Sequence, residues 1–315
     1  MTSLHDIGEQ GLLESLLPYL QASGGEVLVG AGEDDAAAWR EGDGTITVAT
    51  CDTMVEQVHF DRTWLDPEDV GWRAIALAAG DLAAKGATPR YGLVSVSLPE
   101  SWSREDAVAL YRGLAAIAAE IGLKIVGGDT TASPHLAVLG VTLLGTASSD
   151  VLPRASARAG WSVAVTGRLG AAAAGLRELT HGEPCPPDWE AALRRPLPRI
   201  AEGQILARHG LCCGDVSDGL YREMEKFLAA AGVGAVIHAD RVPRVRGTTV
   251  EQALASGEEV ELVCTGPEAG IAEAAAELEC GLTTVGELTE EPTVVVLDER
   301  GQRLSLADRG YEHFA

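Results

Sequence analysis

The stretch Ile125-Val126-Gly127-Gly128-Asp129-Thr130-Thr131 constrains the chain most. Two β-branched apolar residues bring a buried strand to its end, and two glycines give the backbone a sharp turn and close approach to a ligand. A carboxylate and two hydroxyls follow at once, a set suited to a metal ion or a polyphosphate. A Gly-Gly-Asp turn that merely joins two strands reads the same way in isolation. The repetition of the pattern favours a site. Acidic strand ends beside Gly, Ser or Thr recur at Asp34-Asp35, Asp52-Thr53, Gly80-Asp81 and Asp215-Val216-Ser217-Asp218-Gly219.

A chain of 315 residues can bury a large core and divide into two domains. With 24 Lys and Arg against 47 Asp and Glu, the formal net charge is −23. That balance argues against nucleic-acid and anionic-membrane partners, which need basic surface. It suits a cytoplasmic protein, part of whose acidity is neutralised by cations. Cys51, Cys185, Cys212, Cys213, Cys264 and Cys280 show no metal-binding spacing and read as buried reduced thiols. Residues 1–10 carry Asp6 and Glu9 and no apolar core of a signal peptide, and no apolar run is long enough to span a membrane.

Periodicity supplies the elements. Leu12, Leu13, Leu16 and Leu17 predict a short helix packed on a domain surface. Strands are expected at 27–29, 45–49, 91–98, 123–126 and within 136–144. Asp66-Pro67 begins a helix carrying Asp81, and Ser103 with Asp106 forms a capping box for a helix with a Leu110, Leu114, Ile117 and Ile121 stripe. The first half is therefore a sheet with two helices on one face. The pattern breaks near 148–160, which predicts domains 1–147 and 148–315. The second half alternates strand and helix, with strands at 162–166, 211–216, 234–238, 283–287 and 293–297. A glycine turn at 167–170 opens an Ala-rich helix, and Pro196-Leu197-Pro198-Arg199 is a connector that cannot be helical throughout. Ser217-Asp218-Gly219 opens a helix, where Ser217 or Asp218 could equally be an N-cap or hold an anion. The tail Gly310-Tyr311-Glu312-His313-Phe314 is expected to dock by packing.

Taken in order, these motifs resemble the thiamine-monophosphate kinase family, in the superfamily of aminoimidazole ribonucleotide synthetase and selenophosphate synthetase. The resemblance runs from Asp34-Asp35-Ala36-Ala37 through Asp52-Thr53, His59-Phe60, Asp81-Leu82-Ala83-Ala84, Gly127–Thr131, Arg154, Arg195-Pro196 and Asp215–Leu220 to Gly310–Phe314. It implies a PurM-like architecture, an α+β N-terminal domain whose sheet pairs in a homodimer, followed by an α/β C-terminal domain. It also implies Mg2+-dependent transfer of the ATP γ-phosphoryl group to thiamine monophosphate. Matching positions suggest Asp35, Asp52, Asp81, Asp129, Asp215 and Asp218 as ligands for several Mg2+ ions, assisted by Thr50 and Cys51. Asp52, Asp81, Asp129 and Asp218 carry the catalytic role. Tyr111, Gly128, Asp129, Arg154 and Ser217 match nucleotide contacts, and His59, Glu258 and Tyr311 match substrate contacts. Departures stand at Glu33, an extra residue in the first acidic loop, at Ala78 and Gly80, at Ala172 and Leu193, and at Val260. They leave open a different small phosphate acceptor, or nucleotide binding without catalysis.

Overall fold

Alternating apolar positions build two six-stranded sheets. The structure is a computed structural model that describes residues 3–314; Met1, Thr2 and Ala315, the outermost residues of the two expected domains, lie outside the described residues. The first sheet contains β1 (Val27–Val29), β2 (Ala37–Arg40), β3 (Ile46–Val55), β4 (Ala87–Leu98), β5 (Lys124–Ala132) and β6 (Val138–Ala147), in the order β1-β2-β3-β6-β4-β5. Only β4 and β5 pair in parallel. On one face Val48, Met54, Val94, Val96, Leu139, Val141 and Leu143 are buried beneath α2 (Pro67–Ala84) and α3 (Arg104–Glu120). Leu110, Leu114 and Ile117 form the predicted stripe of α3, and Ser103 and Asp106 make the predicted capping box. The opposite face leaves Tyr91, Leu93 and Val126 exposed.

Two expectations about strand ends are corrected. The strand expected to stop at Ala49 continues to Val55, so Thr50, Cys51 and Asp52 lie inside β3. The Gly127-Gly128-Asp129-Thr130-Thr131 stretch is not a turn. It lies in β5, where Leu93–Leu98 pairs with residues 127–132 after a bulge near Val126. Gly128 is needed for close approach between strands, since a Cβ there would sit 1.7 Å from the Val94 carbonyl oxygen. The N-terminal helix forms as α1 (Leu4–Leu16), kinked at Gly8, but buries no residue. Leu13, Leu16 and Leu17 stay exposed, so among the described residues the expected apolar burial of this helix is slight.

The second sheet contains β7 (Ser162–Thr166), β8 (Cys212–Asp215), β9 (Gly234–His238), β10 (Leu262–Gly266), β11 (Leu282–Thr289) and β12 (Val294–Leu297), ordered β12-β9-β11-β7-β10-β8. Its strands alternate with helices as expected, while every pairing except β9 with β12 is antiparallel. The helices are α4 (Ala171–His181), α5 (Pro187–Arg194), α6 (Ile200–Arg208), α7 (Leu220–Ala231), α8 (Val250–Ala255) and α9 (Glu268–Glu277). Cys212 and Cys213 face opposite sides of β8, in separate apolar clusters. Those two and Cys264 are buried, whereas Cys51 is exposed and Cys185 and Cys280 are half-buried.

Helix α2 joins the two sheets. Its Ala83 and Ala84 pack in one cluster with Cys213 and Leu206. Asp69 accepts from Arg194 (3.1 Å) and Arg195 (2.7 Å), and the Trp72 indole donates to the Pro196 carbonyl (2.8 Å). The non-helical connector is thereby clamped against the first sheet's helix layer. Among the described residues, no helix is long and apolar enough to cross a membrane.

Candidate active site

Three carboxylates meet where α2 crosses the second sheet. Asp35 comes from the loop before β2, Asp81 from the last turn of α2 and Asp215 from the end of β8. Each offers an oxygen within 4.8 Å of the others'. The small residues of α2 permit this approach: a Cβ at Gly80 would lie 2.8 Å from an Asp215 oxygen. The departure at Gly80 is thus part of how this chain fits its acids together. Asp52 faces the same cluster from β3, and the Thr50 hydroxyl, on the same strand face, donates to Asp81.

Their electrostatics favour a neighbouring positive charge. Burial first, then the charges of Asp35 and Asp218, push the Asp52 carboxyl up to about 6. Burial and the neighbouring carboxylates hold Asp81 and Asp215 well above the usual range. Asp35 is also buried, yet Arg154, Lys85 and Lys226 outweigh that cost and keep it ionised. One oxygen each of Asp35 and Asp215 is buried with no hydrogen-bond partner among the described residues. Buried polar atoms without partners are costly, and hard divalent cations bind such oxygens at about 2.0–2.6 Å, so that ligands of one ion lie up to roughly twice that distance apart. The donor set fits a divalent ion.

Behind the acids stand three cations that spacing did not reveal. Lys85 is buried against Asp34 and donates to the Cys213 carbonyl (2.7 Å). Arg154 is buried between Asp34 (3.2 Å), Asp35 and Glu223 (2.6 Å). Lys226 pairs with Glu223 and with Asp218 (2.9 Å). Among the described residues, Lys85, Arg154 and Lys226 make the ion pairs of Asp34, Asp35, Asp218 and Glu223, with Asp52, Asp81 and Asp215 beside them. Arg154, expected to contact nucleotide, ties the first acidic loop to α7. The only local signal was the i, i+3 pair Glu223 and Lys226 on α7; Lys85 stands alone at the end of an Ala-rich helix.

A second group of side chains lies beside Asp218. The backbone N–H of Tyr311 donates to the Asp218 carbonyl (3.1 Å), and that of Glu258 to the Ser217 carbonyl (2.7 Å). The His313 ring lies 5.3 Å from His59 and 4.8 Å from Tyr311, edge-on to the latter. His59 accepts from the Val55 N–H (3.0 Å), and burial, then His313, lowers its pKa. Glu258 pairs with Arg73, a fully buried cation from α2. The three expected substrate residues, His59, Glu258 and Tyr311, thus share one region. Sequence reading missed His313 and Arg73 there. The tail docks by hydrogen bonds and an ion pair of Glu312 with Arg222 (2.7 Å), while Tyr311 and Phe314 remain exposed. Packing alone does not hold it, contrary to expectation. Neither Ser217 nor Asp218 caps α7: its N-cap is Gly219, with no side-chain bond. The Ser217 hydroxyl instead meets Lys226 (3.4 Å).

Asp129, Gly128 and Tyr111 are not brought to this cluster by their own chain. The ladder sets Thr53 opposite Gly140, Gly140 opposite Ser95 and Ser95 opposite Asp129. Three strand spacings of about 4.8 Å put Asp129 roughly 14 Å from β3, on the exposed outer strand. Tyr111 is exposed on α3. Cys51 turns away from Thr50 and Asp52 and accepts from the Thr142 hydroxyl (3.4 Å). The other departures have local roles. Glu33 accepts from the N–H groups of Ser23 and Gly30 (both 2.9 Å) and braces the acidic loop. The Leu193 carbonyl accepts from Arg73, and the Ala172 N–H donates to Glu259 (3.1 Å). Val260 is buried at φ 50°, strained for a β-branched residue.

Two sheets with an acidic crossing of this kind define a two-domain family. Residues 33–147 match the family model described as AIR synthase related protein, N-terminal domain, and residues 158–299 its C-terminal domain. The chain is 36% identical to the thiamine-monophosphate kinase of Synechococcus elongatus over 99% of this chain and 98% of that one. It is 32% identical to that of Bacillus subtilis, over 91% and 93%. The structure of AaThiL complexed with AMPPCP and TMP superposes with a TM-score of 0.86 at 26% identity, covering 99% of each chain. The chain belongs to the thiamine-monophosphate kinase family.

Proposed function

We propose that this chain is a Mg2+-dependent, ATP-consuming kinase that converts thiamine monophosphate to thiamine diphosphate in the cytoplasm. The observation that carries it is the convergence of Asp35, Asp81 and Asp215, with two buried oxygens unpartnered among the described residues. Asp35, Asp81 and Asp215 would hold Mg2+, with Asp52 and Asp218 at the flank and Thr50 orienting Asp81. Bound there, divalent ions would supply charge neutralisation between two anionic reactants.

An oxygen of the acceptor phosphate forms the new bond to the γ-phosphorus of ATP, the bond to the β,γ-bridging oxygen breaks, and ADP leaves. The acceptor phosphate is already ionised near neutral pH, so no side chain need remove its proton. His59, Glu258 and Tyr311 orient the thiamine part, with Tyr311 offering an exposed ring for stacking. Lys85 and Arg154 fix the first acidic loop so that Asp35 stays ionised.

Residues 1–147 are the nucleotide- and metal-binding unit of this reading, and 148–315 the second domain. Asp129, Gly128 and Tyr111 lie beside the exposed sheet face, and a second copy of the chain pairing there would bring them to a site. Light scattering should give a mass near twice 32.8 kDa. The deciding assay incubates purified protein with Mg-ATP and thiamine monophosphate. Thiamine diphosphate should form, and unphosphorylated thiamine should not be converted. Binding of ATP without diphosphate formation would overturn the reading.

A further inference from the structure

Of the three cations around the acidic cluster, two are sealed and one is open. The Lys85 side chain is fully buried and Arg154 is 4% exposed, whereas Lys226 is 36% exposed. Lys85 and both terminal nitrogens of Arg154 are engaged with protein oxygens. Their task is internal.

Lys226 differs in place and in partners. It projects from α7 one turn beyond Glu223, and pairs with it and with Asp218 in the loop before the helix. Its ammonium has three hydrogens, and the third meets only the Ser217 hydroxyl, 3.4 Å away and too long to be strong. An anionic oxygen would displace that weak partner readily, since charge-assisted bonds are shorter and about twice as strong. The Asp218 backbone carbonyl, meanwhile, anchors the Tyr311 N–H. Lys226 therefore stands between the metal-ligand trio and the side chains placed around the thiamine.

We infer that Lys226 contacts the phosphate of the acceptor substrate, with its third N–H passing from the Ser217 hydroxyl to a phosphate oxygen. The inference rests on the kinase reading given above and adds a phosphate-recognising residue to it. Two effects act together there. The ammonium attracts the incoming dianion, and it neutralises Asp218, which would otherwise repel the phosphate at close range. Lysine suits the task as a compact point charge on a flexible stem. Such a contact recognises phosphate and is indifferent to the thiazole and pyrimidine rings.

The test is calorimetric titration, in the presence of Mg2+ and a non-hydrolysable ATP analogue, of thiamine monophosphate and of unphosphorylated thiamine. Wild-type protein should bind the monophosphate more tightly. Lys226→Met should weaken the monophosphate by about tenfold or more, the worth of a hydrogen bond to a charged group, and leave thiamine within about twofold. Lys226→Gln, which keeps length and polarity, gives the same comparison if the Met variant does not fold. In turnover the loss should fall on KM for the acceptor more than on KM for ATP. If a folded variant keeps the wild-type ratio between the two ligands, or weakens both equally, Lys226 only braces Asp218 and the inference is wrong. If wild-type protein itself fails to prefer the monophosphate, the kinase reading falls, and this inference with it.

Discussion

The two ends of the site are built in opposite ways. At the metal end, carboxylates from three distant segments are buried and outnumber their cations, and their positions are fixed by α2, β8 and the salt bridges of Arg154 and Lys85. At the acceptor end, Tyr311 is 48% exposed and the tail is held mainly by hydrogen bonds of its backbone to Asp218 and Glu9. The first end stores electrostatic cost that a divalent ion relieves; the second stores little and can adapt to a ligand. Rigidity is placed where charge must be focused, and adaptability where an organic ring must be admitted.

The largest effect should come from breaking the metal end's scaffold. Arg154→Met leaves Asp34, Asp35 and Glu223 buried without their shared partner, and the expected loss is about 3–5 kcal/mol of stability. Urea unfolding of the variant checks this, and an unchanged midpoint would mean that the hub is not a determinant of stability. Asp215→Asn should act on function instead. It should lower kcat at least about 100-fold and shrink the rise in melting temperature given by Mg-ATP, while the metal-free protein stays as stable or gains stability above pH 7.

A smaller effect separates the two ends by pH. Glu259, one residue from Glu258, is buried against Ser256 and the Gly170 N–H, and burial lifts its carboxyl to about 7 from an unfolded value near 4.5. Between those values the folded state binds more protons than the unfolded chain, so its contribution is full below the lower value and declines as pH rises to the upper one. Asp52, raised to about 6, adds a decline of the same sign between about 4 and 6. Mg2+ should abolish the share due to Asp52 and leave that of Glu259, whereas Glu259→Gln should do the reverse, flattening up to about 3 kcal/mol. Melting curves at several pH values, with and without Mg2+, would reveal a single common source if both treatments acted alike. The smallest change is expected from Tyr311→Ala at the adaptable end. Loss of one stacking contact, roughly 0.5–1.5 kcal/mol beyond buried area, should raise KM for thiamine monophosphate up to about tenfold with kcat and ATP binding nearly unchanged.

The contrast also explains what was legible in the sequence. Strands β4 and β7 and helices α2, α3 and α7 announced themselves by local pattern, α2 and α3 also by their N-caps. The acids Asp35, Asp81 and Asp215 were legible as carboxylates beside small residues. Helices α5, α6 and α9 were not singled out, since short Ala- and Arg-rich runs between prolines and glycines carry a weak stripe. The GGDTT stretch misled for a physical reason: its glycines serve close approach within a ladder, and nothing local distinguishes that use from a turn. The salt bridges around the acids were the deepest omission: Arg154 was read as a nucleotide contact, and Lys85 and Lys226 were not read at all. Arg154 and Asp34 lie 120 residues apart in the chain, so no spacing rule joins them.

The central claim is that Asp35, Asp81 and Asp215 form a divalent-cation site. Crystals grown with Mn2+ and a non-hydrolysable ATP analogue test it through anomalous scattering at the manganese edge. A peak within about 2.0–2.3 Å of oxygens from all three carboxylates is the predicted result. Nucleotide density in the cleft with no anomalous peak among these residues would contradict it.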